Sequence, residues 1–308
     1  MQTPIRHSYL ATAMLFGAAL IWGSSFIMMK HTVNSVPTNL LLGFRFLVGC
    51  LLLAIIFPKH LRKLAKARYW WQGALLGVLL FTAYNIQTAG LIRSTAGKNA
   101  FLTCVYCLFV PFFNWFLTRR KPDRYNLSAA VLCLVGIALV SLEGDLSINT
   151  GDLLTLAGGV FWALHIICVG KFTQDGDPIL YTIVQFGTAA ILSLTFGFIT
   201  ETVPSSISTA DLFSLFYLAV FATTIAMLLQ NLGQARTTPA AASIILSLEA
   251  VFGVLFSVLA GGEELTLRLI LGFTVIFISV IISETKLSFL IKKNSNGPVP
   301  KLEVDNAL

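Results

Sequence analysis

The chain has 308 residues, of which 56% are hydrophobic and only 11% charged, with a net charge of +7 and a mean hydropathy of +0.82. Soluble domains carry about 25% charged residues, so this composition excludes an ordinary soluble enzyme or nucleic-acid-binding domain despite the positive charge. Apolar stretches close to twenty residues recur along the sequence, each about the length that crosses a 30 Å hydrocarbon core, and they predict an all-α integral membrane protein.

In chain order, the apolar runs between charged or Pro/Gly-rich breaks predict ten transmembrane helices, at 9–30, 38–57, 71–91, 97–117, 126–142, 152–170, 178–199, 211–231, 239–260 and 266–284. The first resembles a secretory leader in its apolar run, but its tryptophan and the spans behind it predict a retained helix. In the third, Gly73-x-x-x-Gly77 marks close helix packing. The fourth carries Cys104 and Cys107, and two thiols alone do not make a zinc site. With Cys50, Cys133 and Cys168 they are expected as small apolar packing residues, and no metal or cofactor is expected. The ninth, "SIILSLEAVFGVLFSVL", holds Glu249 near its middle. A carboxylate there costs about 2.5–3.5 kcal/mol on insertion scales, so Glu249 is expected to face the protein interior rather than lipid.

Sidedness follows from the cations. One set of alternate connections and termini carries Arg6; Lys59, Arg62, Lys63, Lys66 and Arg68; Arg119, Arg120, Lys121 and Arg124; Lys171; Arg236; and Lys286, Lys292, Lys293 and Lys301. The opposite set carries only Lys30, Arg93, Lys98 and Arg268, with the acids Glu143, Asp145, Glu201, Glu263 and Glu264. The bias predicts a multi-pass protein of the plasma or inner membrane with both termini cytoplasmic, ending in a basic cytoplasmic tail at 285–308. An Asn-Leu-Ser triplet at Asn126 then falls on the cytoplasmic side and is discounted as a glycosylation site.

The halves resemble each other. A shift of about 143 residues pairs Gln87 with Gln230, Gly90 with Gly233, Arg93 with Arg236 and Tyr106 with Glu249. A shift of about 140 pairs Trp22 with Trp162, Ser25 with His165, and Arg45-Phe46 with Gln185-Phe186. Two repeats, 9–142 and 152–284, follow. Five helices each is an odd number, so the second copy enters the membrane from the opposite side, as two inverted five-helix repeats, and a solute site is expected between them.

The elements "GAALIWGSSF", "STAGKNAFLTCVYCLFVPFF", "LLQNLGQARTTPAAASIILSLEAVFGVLFSVLAGGEELT" and the basic loop "RRKPDR" resemble the EamA-type branch of the drug/metabolite transporter superfamily, over roughly residues 9 to 285. The resemblance implies ten helices in two inverted repeats and export or exchange of small metabolites. The family often reads Leu-Glu-Pro in the ninth helix, whereas this chain reads Leu248-Glu249-Ala250, which puts a proline kink there in doubt.

Helical spacing places Asn99, Thr103, Tyr106 and Asn114 on one face of the fourth helix, and the repeat carries that face to Ala242, Leu246, Glu249, Gly253 and Ser257 in the ninth. Trp22 and Ser25, Tyr84 and Gln87, Trp162 and His165, and Gln230 complete a predicted amphipathic pocket suited to a small organic solute. Each aromatic residue is as readily a packing group. His165 is the one histidine well inside a span and fits either a titrating or a packing role. Arg45 either binds a substrate carboxylate or pairs with a helix end or with Glu249. Glu249 is a proton carrier, a ligand for an amine or a structural acid. Arg45 and Glu249 together would suit a zwitterion such as an amino acid.

The leading reading is a secondary transporter working by alternating access, as monomer or homodimer, with the bilayer, a small-molecule solute and coupling protons as its partners. No G-x-x-x-x-G-K-[ST] is present to bind ATP. The alternatives are a channel or facilitator, a membrane-embedded enzyme and a sensor. The absence of H-E-x-x-H and G-x-S-x-G leaves no catalytic residues to name, and channels usually display a charged ring or carbonyl filter.

Overall fold

The computed structural model describes residues 9–94, 96–119, 121–141, 149–259 and 266–286. Of the residues weighed for sidedness, Arg6, Arg120, Glu143, Asp145, Glu263, Glu264, Lys292, Lys293 and Lys301 lie outside them, as does nearly all of the tail, and the Lys98 side chain is not described.

The chain opens with α1 (Tyr9–Thr32) and α2 (Thr38–Ile56), the latter started by Pro37. A short α3 (Pro58–Leu61) and one 3₁₀ turn lead into α4 (Ala67–Ile92). The fourth predicted span is two helices, α5 (Ala96–Cys104) and α6 (Tyr106–Thr118), broken at Val105. α6 ends where Arg119 turns left-handed (φ 57°) and returns its N–H to Trp115 O. Then come α7 (Arg124–Ser141), α8 (Thr150–Phe172) and α9 (Pro178–Thr200).

The start of α8 is a capping box. The Asn149 side chain accepts from Asp152 N, and the Asp152 side chain accepts from Asn149 N. α9 starts on Asp177 followed by Pro178, and α12 on Thr238 followed by Pro239; each cap oxygen accepts first-turn N–H groups, and proline has none to waste.

The eighth predicted span runs continuously over Thr209–Gln234. It is built of α10 (Thr209–Tyr217), a π-helical segment at Leu218–Ile225 and α11 (Ala226–Gln234). In the widened turns, the hydroxyls of Thr223 and Thr224 donate to Leu218 O and Ala219 O, five residues back, both at 2.8 Å. The ninth predicted span is also broken, into α12 (Pro239–Leu246) and α13 (Leu248–Leu259), at Ser247. No proline is involved. The Ser247 hydroxyl instead back-bonds to Ser243 O at 2.8 Å. α14 (Leu267–Thr285) is the last described helix.

Among the described residues, seven helices are long and apolar enough to cross a membrane. Three shorter apolar stretches, Leu102–Thr118, Arg124–Leu139 and Ile270–Ser283, stand where the fourth, fifth and tenth spans are expected. α4 starts at Ala67, ahead of the predicted 71, because a hydropathy reading stops at Arg68 while the backbone ladder does not.

The two sequence halves interleave. α4 packs on α8 and α9, α2 on α9, α7 on α14, and α1 on α11 and α13. Gly73 and Gly77 lie against Val184 and Thr188, where an added Cβ would fall within 2.5 Å of side-chain carbons. The motif is therefore a close crossing of α4 on α9. Large apolar side chains such as Leu51, Ile55, Ile191, Phe198 and Ile199 are exposed, forming the outward surface that a lipid-facing helix bundle needs. All five cysteines are free. Asn126 is buried, and its Oδ1 accepts from Ser283 Oγ at 2.9 Å, so it presents no side chain for glycosylation.

Loop ends are tied by acids. Glu201, after α9, accepts from Asn39 N, Asn39 Nδ2 and Leu40 N at the start of α2. Asp177 caps α9, and its Oδ2 also lies 2.6 Å from both His60 Nδ1 and Lys63 Nζ. Burial alone would raise this carboxyl, but hydrogen bonds from Lys63 and His60 outweigh it and hold the carboxyl below its ordinary value. Its contribution to stability is therefore complete above the ordinary carboxylate range and is lost as pH falls through the depressed folded value. Asp177→Asn retains the cap and loses the ion pairs, which is expected to cost about 1 kcal/mol or less. Asp177→Ala adds about 1 kcal/mol for the lost cap. Thermal unfolding from about pH 6 to pH 3 checks this: the gap between wild type and Asp177→Asn should close toward the acid end.

Candidate functional site

One cavity of about 620 Å³, counting its open mouth, lies where α1, α2, α4, α5, α6, α8, α11, α12 and α13 converge. Trp22, Arg45, Tyr84, Gln87, Asn99, Tyr106, Trp162, Gln230 and Glu249 all line it, with Ser25 and Thr103 beside them. Of the residues predicted to form the pocket, His165 is absent from the wall. It is fully buried behind Trp162, with ring centroids 5.9 Å apart, and its Nε2 lies 2.8 Å from Gln185 Oε1. Asn114, predicted on the polar face of the fourth helix, is also outside the lining. The wall adds Phe26, Met29, Thr88, Leu91, Ile166 and Leu246. Leu246 is on the face that the repeat carries to Glu249, whereas the other four apolar members give no signal in sequence, because an apolar residue in an apolar span carries no contrast; Thr88 had the helical spacing from Tyr84 to be found.

The walls are aromatic. Trp162 stands edge-on to Tyr84 with centroids 4.9 Å apart, and Trp22 faces Trp162 at 6.2 Å. Two hydrogen bonds fix the indoles: Trp162 Nε1 donates to Gln87 Oε1 at 3.0 Å, and Trp22 Nε1 donates to Ala222 O at 2.7 Å. The second acceptor belongs to the π segment, where the widened ladder leaves carbonyls free for side chains.

Polar groups form a connected wall. Gln87 Nε2 donates to Thr103 Oγ1 at 3.1 Å, and Asn99 Nδ2 donates to Thr155 Oγ1 at 2.7 Å. Gln230 Nε2 donates to Gln234 Oε1 at 2.8 Å, and Gln234 in turn donates to Ile166 O. Asn99 Oδ1 and Gln230 Oε1 have no partner among the described residues, so two buried acceptors stand ready for a donor. At one end, beside Met29 and Leu91, Lys30 Nζ ties α1 to α4 by donating to Leu91 O, Ile92 O and Ser94 O at 2.6, 3.2 and 2.9 Å.

Glu249 is the second residue after the Ser247 break, and Tyr106 the first after the break at Val105. They meet: Tyr106 OH donates to Glu249 Oε1 at 3.1 Å, and Cys104 Sγ lies 3.5 Å from the same oxygen. Arg45 is buried on the opposite wall. Its Nε donates to Thr223 Oγ1 at 2.8 Å, its Nη1 touches Met29 Sδ at 3.3 Å, and its guanidinium lies 5.3 Å above the Tyr84 ring. None of the ion pairs among the described residues includes Arg45 or Glu249, and neither pairing anticipated for Arg45, with Glu249 or with a helix end, is formed. No group of three or more His, Cys, Asp or Glu residues able to hold a metal occurs among the described residues.

A model of the EamA-like transporter family matches this chain twice, over residues 10–142 and 149–285. An uncharacterized transporter of Archaeoglobus fulgidus is 33% identical over 264 residues, 86% of this chain and 82% of that protein. The uncharacterized inner membrane transporter YedA of Escherichia coli is 26% identical, over 87% of this chain and 88% of its own. YoaV of Bacillus subtilis, also an uncharacterized transporter, is 25% identical, over 84% of this chain and 91% of its own. A crystal structure described only as that of a protein superposes with a TM-score of 0.76 at 19% identity, covering 91% of this chain and 98% of that one, a likeness of fold.

Proposed function

We propose that this chain, which belongs to the EamA-like transporter family, is a secondary transporter that exports or exchanges small organic metabolites by alternating access. It is a multi-pass membrane transporter and not an enzyme. The observation that carries the mechanism is the cavity itself, walled from both halves of the chain and flanked by two broken helices. Broken helices at a repeat interface give a carrier both a solute site and a place to bend.

The ten-helix arrangement in two inverted repeats is part of the same proposal, and pairs of repeat mates support it. Tyr106 and Glu249 touch at a separation of 143 residues, and Cys104 meets Ser247 O at the same separation. Trp22 faces Trp162, and Phe46 faces Phe186 at 6.0 Å. In a twofold-related pair, a residue reaches its own mate only beside the axis, so these contacts support a reading in which such an axis passes near the cavity. Such symmetry makes two arrangements of similar energy available, one open to each side. The cation bias supports placing both termini in the cytoplasm.

Aromatic walls and unpartnered amide acceptors favour a solute with an apolar body and N–H donors, with amino acids and related zwitterions the first class to try. The test is uptake of a mixed pool of labelled amino acids and metabolites into proteoliposomes. Saturable flux with counterflow of an unlabelled solute is expected. Flux that grows linearly with concentration and shows no counterflow would make the protein a pore.

A further inference from the structure

The two halves differ at a pair of neighbouring positions of the site, Ser25 with Arg45 against His165 with Gln185, and the difference has a chemical meaning. By the repeat, Ser25 corresponds to His165 and Arg45 to Gln185. In the second half this pair is closed, with His165 Nε2 2.8 Å from Gln185 Oε1 and both side chains fully buried. In the first half it is open. No hydrogen bond joins Ser25 to Arg45: the Ser25 hydroxyl turns back onto Trp22 O at 2.8 Å, and Arg45 Nε donates to Thr223 Oγ1. Both Ser25 and Arg45 face the cavity.

Arg45 is only 2% exposed and joins no ion pair among the described residues. A buried guanidinium without a counter-charge is costly, and a carboxylate offering two parallel acceptors is its best-matched partner. Thr223 Oγ1 accepts from its Nε, Met29 Sδ lies against its Nη1 and the Tyr84 side chain sits beside it, so every neighbour that fixes the guanidinium is a neutral group.

We infer that Arg45 is the anchor for a carboxylate on the transported solute, seated in the gap that Ser25 leaves and that His165 fills in the other half. This deepens the transporter reading and rests on it. The site is then one-sided: the solute's anionic end lies by Arg45 and Ser25, its apolar body against Trp22, Tyr84 and Trp162, and any donor it carries reaches Asn99 or Gln230. The substrate class is organic carboxylates with an apolar body.

The test uses matched probes: phenylalanine, leucine and 3-phenylpropionate as carboxylates, their primary amides, and phenethylamine and isoamylamine as the bare amines. Binding to the purified full chain in nanodiscs is read as thermal stabilisation, and flux is read separately in proteoliposomes. Carboxylates are expected to bind at least about tenfold more tightly than their amides, as loss of a charge-assisted pair implies. In Arg45→Gln that preference should vanish. Ser25→His, which fills the gap and leaves the guanidinium in place, should also erase it. An arginine that merely braced Thr223 would weaken every probe alike and leave the carboxylate-to-amide ratio intact. If a variant does not fold, the wild-type ratio decides alone. Amides or amines binding as well as carboxylates, or no carboxylate binding, overturns the anchor. Carboxylate binding without flux leaves the anchor standing and sinks the transport reading.

Discussion

Gly23→Ala is expected to abolish recovery of folded, monodisperse protein, although it adds one methyl group. A Cβ at Gly23 would lie 2.8 Å from Gly253 N and 2.9 Å from Glu249 O, besides overlapping the Phe252 Cβ. Backbone atoms cannot rotate away, so α1 and α13 must separate. Overpacking of a core typically costs about 1–3 kcal/mol, and a clash with backbone belongs at or above the top of that range. Against a total stability of about 5–15 kcal/mol, such a loss is severe. Gly17→Ala is the control on the same helix. Its Cβ would meet only the Leu229 side chain, at an ordinary 3.5 Å, so its effect should stay within about 0.5 kcal/mol or favour the helix. Size-exclusion profiles and thermal unfolding of both variants decide the matter. Equal behaviour would mean that α1 and α13 do not pack as described.

The same crossing separates what the sequence could tell from what it could not. Each apolar run stood out because a span has to be nearly free of charge, and Tyr9–Thr32 or Pro178–Thr200 could be placed within a few residues. The interruptions could not. Ser247 breaks the ninth span by a local hydroxyl back-bond and Val105 breaks the fourth with no side-chain cap, and neither residue type marks a break in a sequence. The π segment left only the pair Thr223-Thr224 as a trace, and two adjacent threonines in an apolar run have many other readings.

Within the site, helical spacing was enough to bring Asn99, Thr103 and Tyr106 to one wall, because polar side chains in a span must turn from lipid. The repeat then extended that wall to Glu249. His165 fell behind the wall for a reason periodicity does not see: Gln185, on another helix, takes up its Nε2. Whether a buried polar residue faces a cavity or a neighbour depends on contacts between helices, and the interleaving of the halves sets those contacts.

Glu249→Gln is expected to separate solute movement from the proton gradient. Glutamine keeps the volume of glutamate and an oxygen that can accept from Tyr106 OH and Cys104 Sγ, so the junction after Ser247 is preserved. It cannot release or take up a proton. A carrier that exchanges one proton per cycle at Glu249 gains about 1.4 kcal/mol from a one-unit pH gradient, which supports about a tenfold solute ratio across the membrane. Wild-type proteoliposomes should therefore reach a ratio about tenfold higher with that gradient than without it, while Glu249→Gln should exchange solute yet reach the same ratio in both conditions. The position suits the role. Glu249 sits against Tyr106, a residue of another helix, and next to a helix break, where any exchange between two arrangements would remake its surroundings. A gradient response kept intact in Glu249→Gln would return Glu249 to a brace for α13 and leave facilitated exchange as the mode of transport.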